Sequence, residues 1–184
     1  VTGGMRTRLK ALTGDIHESL HHDPLLSRLI HPDVTATQYC CALQVFARFY
    51  DAVETARRTL QCWPDFALSQ EVAALRFDTA ECSAPSPKGE LPSYPTPEDV
   101  LGALYVAHGA NYGRSQFRKT VSVALPDARR RFIEMKTAPE IWRALVETLD
   151  REASIAGHAP MIERGAVTAF AHVSRMTSGS EQTV

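Results

Sequence analysis

The sequence specifies an all-α protein, and three observations carry that reading. Apolar residues recur at spacings of three and four along almost the whole chain, no segment sustains a period-two alternation bounded by hairpin turns, and prolines fall at segment boundaries. The first helix spans about Met5 to His21, with Leu9, Leu12, Ile16 and Leu20 on one face, and His22-Asp23-Pro24 ends it. After the His31-Pro32-Asp33 turn, Thr35 is placed to cap a long helix reaching Leu60. Its apolar stripe is Tyr39, Leu43, Phe46, Phe49, Tyr50 and Val53, and Trp63-Pro64 stops it. A third helix runs from about Ala67 to Glu81. The stretch from Ser83 to Pro97 holds five prolines, too many for a helix, and reads as an extended connection inside one domain.

Thr96-Pro97-Glu98 combines a cap, a proline at the first helical position and acids in the first turn, and opens a helix expected to continue to about Val121. Pro126 is read as starting a short helix through Phe132. Pro139 starts one that carries Ile141, Trp142, Leu145, Val146 and Leu149. A last amphipathic helix covers about Ala159 to Met176, so the domain is placed at residues 5–176. The tail from Thr177 to Val184 is polar and expected to be disordered. Residues 1–4, before Met5, are read as a cloning remnant or an upstream start and set aside.

At 184 residues the chain is long enough for a single core that buries roughly 70% of the unfolded surface. A formal net charge of -1 supplies no basic field for nucleic acid or anionic lipid. Charges interrupt every apolar stretch, which argues against a membrane span, and the N-terminus lacks a signal-peptide core; the expected location is the cytoplasm. Cys40, Cys41, Cys62 and Cys82 form no C-x-x-C pair and no zinc-like cluster, so reduced structural thiols are expected.

Two features go beyond a core pattern. On the first helix a second stripe contains Lys10, Thr13, His17 and His21. His17 borders the apolar line, where an imidazole either makes a hydrogen bond at the edge of the core or ligates a metal or haem iron. Lys10, two turns earlier, could then reach an anionic group of the same ligand. The second feature is Gly102, Gly109 and Gly113 on nearly one face of a helix. Each interior glycine costs about 1 kcal/mol relative to alanine. Two explanations stand: a close helix crossing, or a flat wall against a planar ligand.

Together, Leu9-Lys10-Ala11-x-Thr13-x-x-x-His17 and Gly102-Ala103-Leu104-Tyr105-Val106-x-x-Gly109-x-x-x-Gly113 resemble the haem oxygenase family, particularly the bacterial branch found beside bacteriophytochromes. The likeness extends to the proline loop, the Trp142-x-x-Leu145-x-x-x-Leu149 helix and a closing helix with Phe170. It implies a helical bundle holding haem between the first helix and the glycine-containing distal helix, with His17 as proximal iron ligand and Lys10 on a propionate. Thr13 shares the proximal motif. Arg143 resembles a second propionate partner, and Tyr112 and Phe170 are candidates for the pocket lining. Gly109 and Gly113 would give bound dioxygen a bare backbone surface. Haem would be both cofactor and substrate, cleaved to biliverdin, carbon monoxide and free iron. Since no flavin or nicotinamide fingerprint appears, electrons would come from an external reductase or ferredoxin, and biliverdin could pass to a bacteriophytochrome.

Three positions depart from the family pattern. Ala110 stands where many members have an aspartate, and Arg114 where a glycine is expected. His108 replaces a commonly acidic residue, as a solvent-side bystander or as a second haem ligand. These departures keep open a catalytically inactive haem-binding protein for storage, transport or sensing. A carboxylate-bridged di-iron oxidase would need paired Glu and His ligands on facing helices, and no such set is read from the sequence.

Overall fold

The computed structural model describes residues 4–179. Helices α1 (Met5–His21), α2 (Pro24–Arg28), α3 (Ala36–Thr59), α4 (Ser69–Thr79), α5 (Pro97–Ala110), α6 (Arg114–Ala124), α7 (Arg131–Glu134), α8 (Pro139–Ala153) and α9 (His158–Gly179) follow one another, with a 3-10 turn at Pro64–Phe66. The described residues contain no strand, and no helix among them is long and apolar enough to cross a membrane.

Local chemistry sets the main boundaries. Thr35 Oγ1 accepts from Gln38 N–H while Gln38 Oε1 accepts from Thr35 N–H, and Thr96 and Asp99 form the same reciprocal box at the start of α5. At Trp63 the chain turns left-handed (φ 48°), and its indole N–H donates to Pro97 O at 2.6 Å, tying the end of the α3 region to the start of α5.

Several expected boundaries move. Asp23-Pro24 does more than stop α1: the Asp23 carboxylate accepts from Leu25 and Leu26 N–H at 3.0 Å each and so caps α2. The expected continuous helix to Val121 breaks after Ala110. There Tyr112 and Gly113 N–H donate to Gly109 O and Ala110 O in tighter i to i−3 turns, before α6 begins. Pro126 opens no helix, because the Arg130 guanidinium takes up Leu125 O and Pro126 O. Helix α7 starts instead at Arg131, where the Asp78 carboxylate accepts from Arg131 and Phe132 N–H. Thr177 is buried and α9 runs to Gly179, past its expected end at Met176; residues 180–184, like residues 1–3, lie outside the described part.

The cysteine expectation is also corrected. Cys40 and Cys82, 42 residues apart in sequence, form a disulfide with a Cα–Cα distance of 5.5 Å, while Cys41 and Cys62 are free thiols. Packing of α4 along α3 brings the start of α3 beside the segment after α4, a proximity that cysteine spacing alone does not reveal.

Helix α9 is the centre of the bundle, packed on α5 most extensively and on α1, α3 and α8 besides. Two glycines allow the α5–α9 approach. A Cβ on Gly102 would stand 2.0 Å from Ile162 O, and one on Gly165 would stand 1.9 Å from Asp99 O. Each helix thus presses its backbone into the other's missing side chain, and Leu101, Leu104, Ile162 and Ala166 bury themselves around the crossing. Asp99, almost wholly buried, accepts both bonds of the Arg164 guanidinium at 2.7 Å. The close-crossing explanation is therefore the right one for Gly102.

Gly102→Ala and Gly165→Ala should each destabilise the fold by about 3 kcal/mol or more, because the obstacle to the new methyl is backbone. Gly14, which has open space at the Cβ position in α1, should gain about 1 kcal/mol on substitution by alanine. Thermal unfolding of the three variants gives the comparison; equal effects at all three would contradict the crossing.

Candidate functional site

The helix that carries the Lys10–Thr13–His17–His21 stripe, α1, is held against the bundle at both ends. Met5 N–H donates to Asp150 Oδ1 of α8 at 2.6 Å, Arg8 pairs with Glu163 of α9, and Leu9 is fully buried. At the other end His17 is exposed yet stands edge-on to Phe170 of α9, with ring centroids 5.8 Å apart, and edge-on to His21 at 4.6 Å. This partial burial, joined by the fields of His21 and Lys10 against that of Glu18, lowers the His17 pKa below 6.5. The imidazole is neutral at pH 7, the form that can ligate a metal.

Lys10 is exposed on the same helix, and no ion pair engages it among the described residues. Thr13 is buried, and its hydroxyl donates to Leu9 O at 2.8 Å, so that donor is spent within the helix. Arg143 is exposed on α8 beside Trp142, likewise without an ion pair among the described residues.

The α5–α6 break forms the second part. Tyr105 stacks on Trp142 at 5.6 Å, Tyr112 meets the same ring edge-on at 5.7 Å, and Arg6 lies over it at 5.8 Å. Trp142 thereby joins α1, α8 and the break. Gly109 and Gly113 differ from Gly102: a Cβ on Gly109 would meet only the Trp142 ring at 3.7 Å, and one on Gly113 only Ala110 O at 3.4 Å. Neither has a positive φ. Protein packing does not require glycine at either position.

Beneath the break lies a buried polar network that the sequence reading missed. The Tyr50 hydroxyl has Ala107 O at 2.9 Å and Asn111 Oδ1 at 2.8 Å as acceptors for its one proton, and Asn111 Nδ2 donates to Glu71 Oε1 at 3.2 Å. Burial pushes the Tyr50 pKa far above 10, so it stays a donor. The sequence signal was slight: an Asn directly after Ala110, and a Glu within an apolar helix.

The departures at His108 and Arg114 resolve in the same region. His108 is neither a solvent-side bystander nor an available second ligand. It is buried, its Nε2 lies 3.1 Å from Phe66 O as a donor, and burial lowers its pKa. Arg114 turns inward, donating from Nη1 to Phe132 O at 3.2 Å with its guanidinium over the Phe132 ring at 4.9 Å. It therefore leaves the surface of the break uncovered. Ala110 is exposed. A cleft of about 690 Å³ lies elsewhere, between α3 and α4, lined by Asp51, Glu54, Arg58 and Arg76 among others; its charged walls suit no porphyrin.

This helical arrangement, with α1 and the broken α5–α6 helix both set against α9, is the haem oxygenase fold. Among solved structures, the chain is similar to the NO- and CO-bound haem oxygenase from Neisseria meningitidis, with a TM-score of 0.74, 22% identity, and 98% of this chain and 94% of that one covered. No protein-family profile and no curated protein matches the sequence.

Tyr50→Phe should destabilise the protein by about 1–3 kcal/mol, because Asn111 Oδ1 is left buried without that donor. Chemical denaturation measures this, and an unchanged midpoint would show that the network does not hold the break.

Proposed function

We propose that this protein is a haem oxygenase, binding haem through His17 and cleaving it with dioxygen and externally supplied electrons. The observation that carries the reading is a pairing within one fold. A neutral, exposed imidazole rests against Phe170, and two glycines that nothing in the protein's own packing requires lie at the break of α5 and α6.

The residues present fit a haem. His17 supplies one neutral nitrogen for the iron, Phe170 supports that ring edge-on, and Lys10 and Arg143 are uncommitted cations for the two propionates. When bound, the haem supplies the iron that activates dioxygen and is itself the substrate, yielding biliverdin, carbon monoxide and free iron. The chain's contribution on the distal side is mostly exclusion. At Gly109 and Gly113 it presents backbone with no acid or base, and Arg114 and His108, the nearby groups able to act as one, are turned inward onto backbone carbonyls. The Tyr50–Asn111–Glu71 network fixes where the helix breaks and hence where that bare surface stands.

A separate reductase or ferredoxin would deliver the electrons, and a bacteriophytochrome is a fitting acceptor for the biliverdin. A cytoplasmic location belongs to the same reading; there the Cys40–Cys82 bridge would face a reducing pool. Haem binding without cleavage is the second reading, and Ala110 is the residue that favours it, since it offers no carboxylate to order water at the break.

Adding haem and then an electron donor in air should bleach the Soret band and raise a bilin band; haem that is reduced and reoxidised without loss supports the second reading instead. His17→Ala should abolish the histidine-ligated haem spectrum while circular dichroism stays unchanged. Gly109→Ala should raise folding stability by about 1 kcal/mol and lower turnover by roughly an order of magnitude or more. Full turnover in Gly109→Ala would contradict the role given to that glycine.

A further inference from the structure

Three helix ends meet away from the break: the first turn of α5, the last turn of α8 and the start of α9. Each contributes one metal-ligating side chain, Glu98, Glu152 and His158. His158 Nδ1 lies 3.6 Å from Glu98 Oε1 and 3.4 Å from Glu152 Oε2, and one ligand atom from each residue falls within 4.8 Å of the other two. The carboxylate side chains are 14% and 15% exposed. His158 Nδ1 is itself buried and makes no hydrogen bond.

The spacing decides between two accounts of this cluster. A charge-assisted N–H to carboxylate bond closes to about 2.7–2.9 Å, and both separations are well beyond that. Ligand atoms sharing a tetrahedral ion with bonds of about 2.0–2.1 Å stand roughly 3.4 Å apart, close to the two separations from His158. Charge agrees. Two carboxylates with a neutral imidazole balance a divalent cation, whereas an imidazolium balances them only together with the exposed Arg151 guanidinium beside Glu152. Among the described residues Glu98 has no other ion pair, and Arg151 approaches Glu152 on its other oxygen. Nitrogen and oxygen donors of this kind suit zinc.

We propose that Glu98, Glu152 and His158 bind a zinc ion, with a water completing its coordination. The ion ties the α8–α9 turn, where Gly157 adopts φ 88°, to the start of α5. Glu98 lies 11 residues before Gly109, about 16 Å along the helix, so the ion is a clamp on the base of α5 and no part of the haem seat. Sequence spacing hides the site, since the ligands are 54 and 6 residues apart and form no motif. Three ligands for one ion also fall short of the set that a di-iron centre requires.

The test uses haem-free protein stripped with EDTA and then titrated with zinc chloride, and separately with cobalt chloride as a visible probe. The expected result is one zinc bound per chain, a raised unfolding temperature and the intense visible bands of tetrahedral cobalt. Binding should be lost in His158→Ala, and at least tenfold weaker in Glu98→Gln and Glu152→Gln. It should be unchanged in His21→Ala, which removes the rival His17–His21 pair. Helicity by circular dichroism checks the variants, and if His158→Ala fails to fold, the two isosteric Gln variants decide. No bound zinc would leave an imidazolium–carboxylate ion pair only and overturn the proposal, as would undiminished binding in the Gln variants or loss of binding in His21→Ala.

Discussion

The contact on which the rest of the structure depends is the backbone-to-backbone crossing of α5 and α9. Gly102 receives Ile162 O and Gly165 receives Asp99 O, so neither helix can rotate or withdraw without losing the fit of the other. The Asp99–Arg164 pair and the Thr96–Asp99 capping box secure the same end of α5. With that end fixed, α5 runs toward the α5–α6 break on a set line, and the Tyr50–Asn111 bond holds the break from α3. Further along α9, one turn past Ala166, Phe170 supports His17. One crossing therefore positions both halves of the candidate site, although they lie nearly a hundred residues apart in sequence.

The glycines of α5 and of the break after it consequently do different jobs. Gly102 is demanded by the crossing. Gly109 meets no backbone obstacle and its helix cost of about 1 kcal/mol is not recovered in packing, while Gly113, in the turn between α5 and α6, has only an ordinary contact with Ala110 O. Sites that give up folding stability without a structural return are where function is expected to reside. The large side chains nearby tell the same story from the other side. His108, Arg114 and Tyr50 could each crowd the break, and each is instead committed inward, to Phe66 O, Phe132 O and Ala107 O respectively.

What could be read in the sequence divides by range. The all-α class, the extents of α1 and α3, the start of α8 at Pro139, and the caps at Thr35 and Thr96 were legible, because a cap and its partner are three residues apart and an amphipathic stripe repeats every turn. The α1 stripe of Lys10, Thr13, His17 and His21 was legible as one helix face for the same reason, while the assignment of His17 to iron rests on the family likeness. Features that hinge on distant partners were not. Helix α7 starts where Asp78 caps it from 53 residues away, Cys40 meets Cys82 only once α4 lies along α3, and the α5–α6 break is fixed by Tyr50 from another helix. The direction taken by Arg114, toward Phe132 and away from the break, is likewise a property of packing that residue type cannot supply.

The central proposal is that haem lies between the His17 face of α1 and the break at Gly109–Gly113. A crystal structure of the haem-loaded protein tests this most directly. It should show iron bonded to a ring nitrogen of His17, with the Gly109 and Gly113 backbone in van der Waals contact with the opposite side of the porphyrin. Iron bound to His21 or His108, or haem seated in the charged cleft between α3 and α4, would contradict it.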